Sequence, residues 1–240
     1  MTIRRLVSFA AAVLFVPASV LRADTPVDPS GHWEGTALVQ RMDLPFHVDI
    51  WRTSPGDYTG TISIPSENIH GLPLLKVSVD GATIGFHART DQPFTGTIAA
   101  DGHTISGEMV LSGTTFPVAL TRTSTAVVEP ALTSAPIAKA LEGTWAATLE
   151  SGGPVHVILT MTNHADGTAT GVLTNLDEGE LRLPVAIAQH DSIVTLEIRV
   201  VSASFSGTLS ADGATLVGTF HEKGKDVPVT FRREAGTAKR

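Results

Sequence analysis

One stretch of the sequence occurs twice and decides the fold. The first copy reads Phe94-Thr-Gly-Thr-Ile-Ala-Ala-Asp-Gly-His-Thr-Ile-Ser-Gly107, and the second reads Phe205-Ser-Gly-Thr-Leu-Ser-Ala-Asp-Gly-Ala-Thr-Leu-Val-Gly218. The two copies lie 111 residues apart. In both, threonine and aliphatic residues flank an Asp-Gly pair, which is typical of two strands joined by a tight hairpin turn. The motif therefore predicts antiparallel β-structure at both places.

The similarity extends over most of the chain. At the spacing of 111, further matches are found at Gly113 and Gly224, at Pro117 and Pro228, and at Arg122 and Arg233. Before the motif, Gly31-His-Trp33 matches Gly143-Thr-Trp145 at a spacing of 112, and Pro45-Phe-His47-Val matches Pro154-Val-His156-Val at 109. Such an ordered internal repeat predicts two copies of one structural unit, at about residues 31–123 and 142–234.

Each unit has the pattern of a small β-barrel. Apolar residues recur at every second position, as at Phe46, Val48 and Ile50, which predicts strands with one buried face. Turn signals divide the first unit into about eight short strands, starting near residues 32, 43, 57, 73, 82, 93, 103 and 114. Closing such a sheet buries its apolar face and removes its edges. We predict an all-β protein with two tandem antiparallel up-and-down barrels. A β-sandwich per unit, or one larger barrel from both units, is the alternative.

The N-terminus has the pattern of a secretory signal peptide. Arg4-Arg5 precedes an apolar stretch at residues 6–20, which is shorter than the roughly 20 apolar residues of a membrane span. We assign residues 1–23 to the signal peptide, with cleavage after Ala23. Cleavage after Ala18 and retention of the segment as an anchor are the alternatives. The protein is accordingly expected in the periplasm or outside a bacterial cell.

Composition excludes several kinds of site. The 240 residues contain no cysteine, so disulfides, thiolate metal sites and a cysteine nucleophile are excluded. The formal net charge is −7, and about −10 without residues 1–23, which argues against nucleic acid as a partner. After residue 23 no apolar run is long enough for a membrane span.

The repeat and the composition divide the chain into segments. The first barrel is assigned to residues 24–123, the linker to 124–141, the second barrel to 142–234 and a tail to 235–240. The end of the linker, residues 134–141, is compatible with one or two helical turns. Ser134 would be the N-cap and Pro136 would lie in the first turn.

The units resemble a known family. The residues that carry the resemblance are Gly31-His-Trp33-Glu-Gly35-Thr, Tyr58-Thr-Gly-Thr-Ile-Ser-Ile-Pro65, Phe94-Thr-Gly-Thr and Phe116-Pro-Val-Ala-Leu-Thr-Arg122. They are similar to the small lipocalin-like β-barrel module often found ahead of secreted bacterial α/β-hydrolase (esterase or peptidase-like) domains. Two tandem copies cover nearly all of the chain after the signal peptide. The hydrolase domain and its Gly-x-Ser-x-Gly motif are missing, so the resemblance implies a fold and no catalytic residue.

Four residues are candidates for binding a ligand or partner. Glu67, Asn68 and His70 lie in the longest loop of the first unit, and binding residues concentrate in loops on a rigid scaffold. Trp51 alternates with the apolar residues of its strand. Its ring should therefore face outward and offer a contact surface, for instance to the other barrel.

The other candidates are interpreted as structural. Trp33 and Trp145 occupy equivalent places at the start of each unit, and each is expected to plug one end of its barrel. His47-x-Asp49 has the spacing of two metal ligands on one strand, but Ile158 replaces the aspartate in the second copy. We therefore expect no metal and no cofactor.

The apolar residues of the first unit are expected to fill the barrel. An eight-stranded barrel has just enough room for its own side chains, so a small apolar pocket at one mouth is all that should remain. The residues predicted to face inward are Trp33, Phe46, Val48, Ile50, Ile62, Ile64, Val77, Val79, Ile84, Phe86, Phe94, Ile98, Ile105, Met109, Phe116, Val118 and Leu120.

The sequence thus favours a secreted or periplasmic, non-catalytic binding or interaction protein. Its partner would be a protein, an envelope component or a small apolar molecule. The alternative is an accessory subunit or non-catalytic portion of a secreted α/β-hydrolase system, or an enzyme of an unrecognised type. No nucleophile elbow, triad or metal motif supports catalysis.

Overall fold

A computed structural model describes residues 27–39, 41–150 and 152–234. The predicted signal peptide and the tail at 235–240 lie outside these ranges. Within them the chain forms seventeen β-strands in two antiparallel sheets, with two single-turn 3₁₀ segments and no α-helix. The all-β prediction is therefore confirmed.

The first sheet is built from the first repeat. Its strands, within the described part of the chain, are β1 (Gly31–Val39), β2 (Met42–Ser54), β3 (Asp57–Ile64), β4 (Ile69–Pro73), β5 (Leu75–Asp80), β6 (Thr83–His87), β7 (Pro93–Ile98), β8 (Thr104–Leu111) and β9 (Thr114–Ser124). Their order in the sheet is β4-β3-β2-β1-β9-β8-β7-β6-β5. The first and last strands of the repeat, β1 and β9, pair with each other, and the sheet is barrel-like with β4 and β5 as its two edge strands.

The second sheet is a closed barrel built from the second repeat. Its described strands are β10 (Gly143–Glu150), β11 (Pro154–Asn163), β12 (Ala169–Asn175), β13 (Leu181–His190), β14 (Ile193–Ile198), β15 (Ala203–Leu209), β16 (Thr215–Glu222) and β17 (Lys225–Arg233). Each strand pairs with the next, and β10 pairs with β17. Two separate barrel-like sheets exclude both the sandwich and the single larger barrel.

The predicted strand starts agree with the structure except at the fourth strand. Seven of the eight lie within one residue of an observed start. The fourth strand of the first repeat is split into β4 and β5, whereas the equivalent β13 is continuous. Gly71 and Lys76 have positive φ values of 63° and 50°, and these left-handed residues bend the chain on either side of Leu74.

The strand registers correct one part of the repeat alignment. The two equivalent tryptophans pair with Val48 in β2 and with Leu159 in β11, which are 111 residues apart. The spacing of 109 inferred from the sequence is therefore wrong for these strands. Ile158, and not His156, is the structural equivalent of His47.

The predicted helical turns at residues 134–141 are not formed. The backbone of Ser134 makes an antiparallel bridge with Ala169, so its hydrogen bonds are used in a sheet. Ile137 is buried and its backbone N–H donates to the side chain of Asn163. A single turn, in which the Leu141 N–H donates to the Ala138 carbonyl, ends the segment. Tertiary hydrogen bonds therefore replace the helix.

The first barrel has the core that the sequence predicts. Thirteen of the seventeen residues predicted to face inward are buried. The exceptions are half-buried: Ile64, Val77, Val79 and Phe116. Ile69, Leu72 and Leu74, which follow the long loop, are also buried although they are not among the residues predicted to face inward. The bent fourth strand hides the alternation that would have shown them.

The repeated motif owes its glycines to close packing of two strands. Gly207 in β15 lies directly opposite Gly218 in β16, and the ring of Phe205 lies over both. A Cβ atom on Gly218 would overlap the carbonyl oxygen of Ser206 and the Cα of Gly207. Gly96 and Gly107 form the same pair under Phe94 in the first barrel. The motif therefore specifies a close approach of two paired strands that only glycine allows.

Candidate functional site

One end of each barrel is closed by a tryptophan. Trp33 and Trp145 are completely buried, and each indole N–H donates to a backbone carbonyl, that of Pro29 at 2.9 Å and that of Leu141 at 3.0 Å. A guanidinium lies over each ring, 4.6 Å from the centroid in the first barrel and 4.3 Å in the second. The arginines are Arg122 and Arg233. Complete burial leaves these rings no surface for stacking a ligand, so they are structural plugs.

The opposite end of the second barrel contains a cavity of about 560 Å³. The strand ends that surround it, such as Leu149 at the end of β10 and Leu181 at the start of β13, are those farthest from Trp145. The second barrel contributes an apolar lining of Leu149, Val155, Val157, Leu173, Leu181, Leu183, Val201 and Phe220. Polar and charged residues at the mouth are Asn175, Glu178, Glu222, Lys223 and Lys225. The volume is that of pockets which hold small organic molecules.

The first barrel covers part of this mouth. Glu67, Ile69 and Arg89 belong to the first barrel and also line the cavity. Arg89 Nη1 lies 3.7 Å from Glu178 Oε2, and the Arg89 side chain is only 19% exposed. The cavity is therefore shared between the two repeats.

The two barrels contact each other through equivalent loops. The β3–β4 loop of the first barrel meets the β14–β15 loop of the second, where Asn68 Nδ2 donates to the Val201 carbonyl at 2.8 Å. The β6–β7 loop of the first barrel meets the β12–β13 loop of the second, where Asp91 lies against Gly179. In the repeat, the β3–β4 loop is equivalent to the β12–β13 loop, and the β6–β7 loop is equivalent to the β14–β15 loop. Each contact therefore joins one loop of each kind, so the two barrels are related by an approximate two-fold symmetry.

The structure separates the four residues predicted to bind a ligand or partner. Glu67 lines the cavity, and Asn68, with a left-handed φ of 59°, joins the two barrels. His70 is exposed on β4. Trp51 is half-buried and pairs with Thr59 at the start of β3, about 20 Å along that strand from the loop that reaches the second barrel. Trp51 is thus not part of the cavity.

Most of the residues at the mouth were missed from the sequence. Arg89, Asn175, Glu178, Lys223 and Lys225 occupy hairpin ends, and none of them is among the candidates chosen from the sequence. The sequence offers one signal for them, which is the strand order. In an up-and-down barrel every second turn lies at the same end, so the turns that carry these residues must lie together.

The second barrel has a pocket at one mouth, as expected from the sequence, but its volume of about 560 Å³ is larger than the small pocket expected. Val157, which lines the cavity, occupies the register position of Phe46 in the first barrel. The cavity wall of the second barrel therefore carries a smaller side chain at this position. A difference of side-chain size at equivalent positions therefore contributes to the space in one repeat.

A polar cluster on the outer face of the first barrel holds the linker. Asp49 is 7% exposed, and its Oδ1 accepts hydrogen bonds from the Val127 N–H at 2.7 Å and from His32 Nδ1 at 2.8 Å.

Among the described residues no group of three or more histidine or acidic side chains is placed to hold a metal ion. No helix in the same part of the chain is long and apolar enough to cross a membrane.

A carboxylate next to the mouth should give the second barrel a measurable pH dependence. The backbone N–H of His156 donates to Asp177 Oδ2 at 2.6 Å and holds the pKa of Asp177 below its usual value. A lowered pKa in the folded state contributes stability above the unfolded pKa, about 3.9, and that contribution is lost as the pH falls through the lower folded value.

We therefore expect Asp177→Asn to have a lower melting temperature than the unmodified protein at pH 7. The difference should shrink as the pH falls from about 4 through the lower pKa of the folded protein, because the Asp177 carboxylate of the wild type is then progressively protonated. Thermal melts of both proteins from pH 7 to pH 2.5 measure it. A difference that is constant over this range would contradict the assignment.

The comparisons with known proteins do not assign this chain to a family. No family model and no curated protein matches the sequence. A solved structure of a protein of unknown function from the DUF3598 family of Nostoc punctiforme is similar at 12% identity and a TM-score of 0.26, over 85% of this chain and 96% of that one.

Proposed function

We propose that the protein is an exported, non-catalytic binding protein whose second barrel takes up a small apolar molecule. The observation that carries the proposal is the cavity of about 560 Å³ with an apolar lining and a charged mouth. Burying an apolar ligand there removes its surface from water, while the polar mouth remains solvated. The resemblance of both repeats to lipocalin-like modules of secreted proteins, and the signal-like N-terminus, support export.

The apolar lining determines the class of ligand. Nine of the residues that line the cavity are aliphatic or aromatic, and its charged residues lie at the mouth. At the mouth, Arg89 lies 3.7 Å from Glu178, and Lys223 lies 3.7 Å from Glu222, so opposite charges are paired. The site should therefore select for apolar surface and shape more than for ligand charge.

Narrowing the cavity should weaken binding. Val157→Phe places in β11 the side chain that the first barrel carries at the same register position, so the strand geometry already accepts a phenylalanine there. We expect the dissociation constant for the fluorescent probe N-phenyl-1-naphthylamine to rise at least about fivefold. Titration of the purified protein with the probe, followed by emission, measures the effect.

Val217→Phe is the matched control. Val217 is 52% exposed in β16 and does not line the cavity, so the same bulk is added on the outside of the barrel. Its probe affinity should equal that of the unmodified protein. If both variants bind the probe equally well, or if the unmodified protein does not bind it, the cavity is not a ligand site.

A further inference from the structure

An arginine of the first barrel lies at the cavity mouth with its hydrogen-bond donors unused. Arg89, in the β6–β7 loop, lines the cavity, and its side chain is only 19% exposed. Within the described part of the chain its guanidinium donates no hydrogen bond, because the ion-pair partner, Glu178 Oε2, lies 3.7 Å from Arg89 Nη1. Charged groups that are largely removed from water are normally hydrogen-bonded as well as paired. The free donors therefore indicate a binding partner that is not part of this chain.

The backbone fixes Arg89 at the mouth. Ala88 is buried, and its N–H donates to the Gln92 carbonyl at 3.1 Å, while the Gln92 N–H donates to the Arg89 carbonyl at 3.0 Å. Asp91, in the same turn, lies against Gly179 of the second barrel. The base of the side chain is therefore held in place before any ligand binds, which reduces the conformational freedom that binding would cost.

The equivalent loop of the second barrel contains an arginine whose donors are used. Arg199, in the β14–β15 loop, is 64% exposed, and its Nε and Nη2 donate to the two carboxylate oxygens of Glu197 at 3.2 and 3.3 Å. Arg199 does not line the cavity. An arginine in this loop can thus be satisfied within its own barrel, so the free donors of Arg89 are a feature of the cavity mouth.

We propose that the ligand of the second barrel carries one anionic group, which Arg89 binds while the apolar body of the ligand lies in the cavity. This inference rests on the proposed function and narrows its ligand class. A guanidinium presents parallel N–H donors that match two oxygens of a carboxylate, sulfonate or phosphate monoester. The second barrel then supplies the apolar wall, and the first barrel supplies the group that recognises the charged end.

Glu178 leaves room for such a group. Its side chain is 52% exposed, so it can turn into the solvent when the anion of a ligand takes its place beside Arg89. The exchange replaces a contact at 3.7 Å with charge-assisted hydrogen bonds, which are stronger. The other charged residues that line the cavity are two lysines and two glutamates, so their charges balance. The apolar wall remains the main source of affinity, and Arg89 sets the preference among ligands of one shape.

Two fluorescent probes of similar shape test this preference. Anilinonaphthalenesulfonate is N-phenyl-1-naphthylamine with a sulfonate on its naphthalene ring. In Arg89→Gln the dissociation constant of the sulfonate probe should rise about tenfold, whereas that of the neutral probe should change less than about twofold. Arg89→Lys keeps the charge but loses the parallel donors, so its effect on the sulfonate probe should be intermediate. Fluorescence titration of the purified full chain measures all four constants.

Glu178→Gln should act in the opposite direction. Without this carboxylate Arg89 has no competitor for the anion, so the sulfonate probe should bind about threefold more tightly. Partly unfolded protein takes up apolar probes in general, so an unchanged affinity for the neutral probe excludes unfolding as the cause. Glu180→Gln is the matched control, because Glu180 is an exposed residue of the same loop that does not line the cavity. It should leave both affinities unchanged.

Displacement of the bound sulfonate probe distinguishes an anion with an apolar body from a free anion. Decanoate should displace the probe at a lower concentration than 1-decanol, which lacks the charge, and than acetate, which lacks the chain. Displacement by acetate as effective as that by decanoate would show that Arg89 holds only a free anion, and the proposal would be wrong.

Two further variants define the outcomes. Arg199→Gln removes the same charge from the equivalent loop and should leave both probe affinities unchanged. Val157→Phe narrows the cavity and should weaken both probes. Equal effects of Arg89→Gln and Arg199→Gln on the sulfonate probe, or no effect of Val157→Phe on it, would overturn this inference and leave the cavity as a site for neutral apolar molecules. Failure of the unmodified protein to bind the neutral probe would overturn the proposed function, and this inference with it.

Discussion

Trp145→Ala should lower the free energy of unfolding of the second barrel by about 4 kcal/mol, within the range measured for buried aromatic-to-alanine substitutions. The side chain is completely buried, so its removal leaves a cavity at the closed end of the barrel. It also leaves the Leu141 carbonyl without its indole donor and the Arg233 guanidinium without the ring beneath it. For a domain of this size the melting temperature should fall by roughly 15–30 °C.

Equilibrium unfolding in urea, followed by far-ultraviolet circular dichroism, measures this loss. Trp145→Phe keeps an aromatic ring but loses the N–H donor, so its cost should be smaller, about 1.5–2 kcal/mol. Trp51→Ala is the matched control, because Trp51 is a half-buried tryptophan on the outer face of β2. If Trp145→Ala costs no more than Trp51→Ala, the tryptophan does not close the barrel.

Gly218→Ala should cost about 3 kcal/mol although it adds a single methyl group. The new Cβ would overlap the carbonyl oxygen of Ser206, the Cα of Gly207 and the ring of Phe205. Two of these three contacts are backbone atoms of the paired strand, so the strands must move apart rather than a side chain rotate. The expected cost lies at the upper end of the range for overpacked cores.

Gly85→Ala in β6 is the control for the general effect of alanine in a strand. Its new Cβ would meet only the Ser78 hydroxyl at 3.0 Å, a flexible side chain, and the Phe94 carbonyl at 3.7 Å. Its effect on the melting temperature should be small or slightly stabilising, because alanine restricts the unfolded chain. Equal melting temperatures for Gly218→Ala and Gly85→Ala would show that close strand packing is not why the motif contains glycine.

The repeat and the strand pattern were readable because they depend on residues close together in sequence. Alternation in strands such as β2, and Asp-Gly turns such as that at Asp101, act within about ten residues. The fourth strand of the first repeat was placed less well, because Gly71 and Lys76 bend it and break the alternation. The helical turns near Ser134 were predicted from local signals, but they do not form because Ser134 makes a bridge with Ala169, which is distant in sequence.

The candidate site was less predictable. Glu67 and Asn68 were singled out as loop residues. In the structure Glu67 lines the cavity of the second barrel, and Asn68 donates a hydrogen bond to the Val201 carbonyl of that barrel. Trp51 was singled out for its expected outward face, but the strand carries it to the other end of the first barrel. Arg89 could not be identified, since its role depends on Glu178, which comes from the other repeat.

The sequence by itself determined the all-β class, the duplication, the approximate strand positions and most of the core of the first barrel. These features follow from local periodicity and turn chemistry, which act on neighbouring residues. Only the tertiary structure decided that the second barrel has space, that the first covers its mouth, and that the linker completes a sheet. Those features depend on side-chain size and contacts between residues far apart in the chain, as between Asn68 and Val201. No local pattern records such pairs, because they exist only once both barrels are folded and packed.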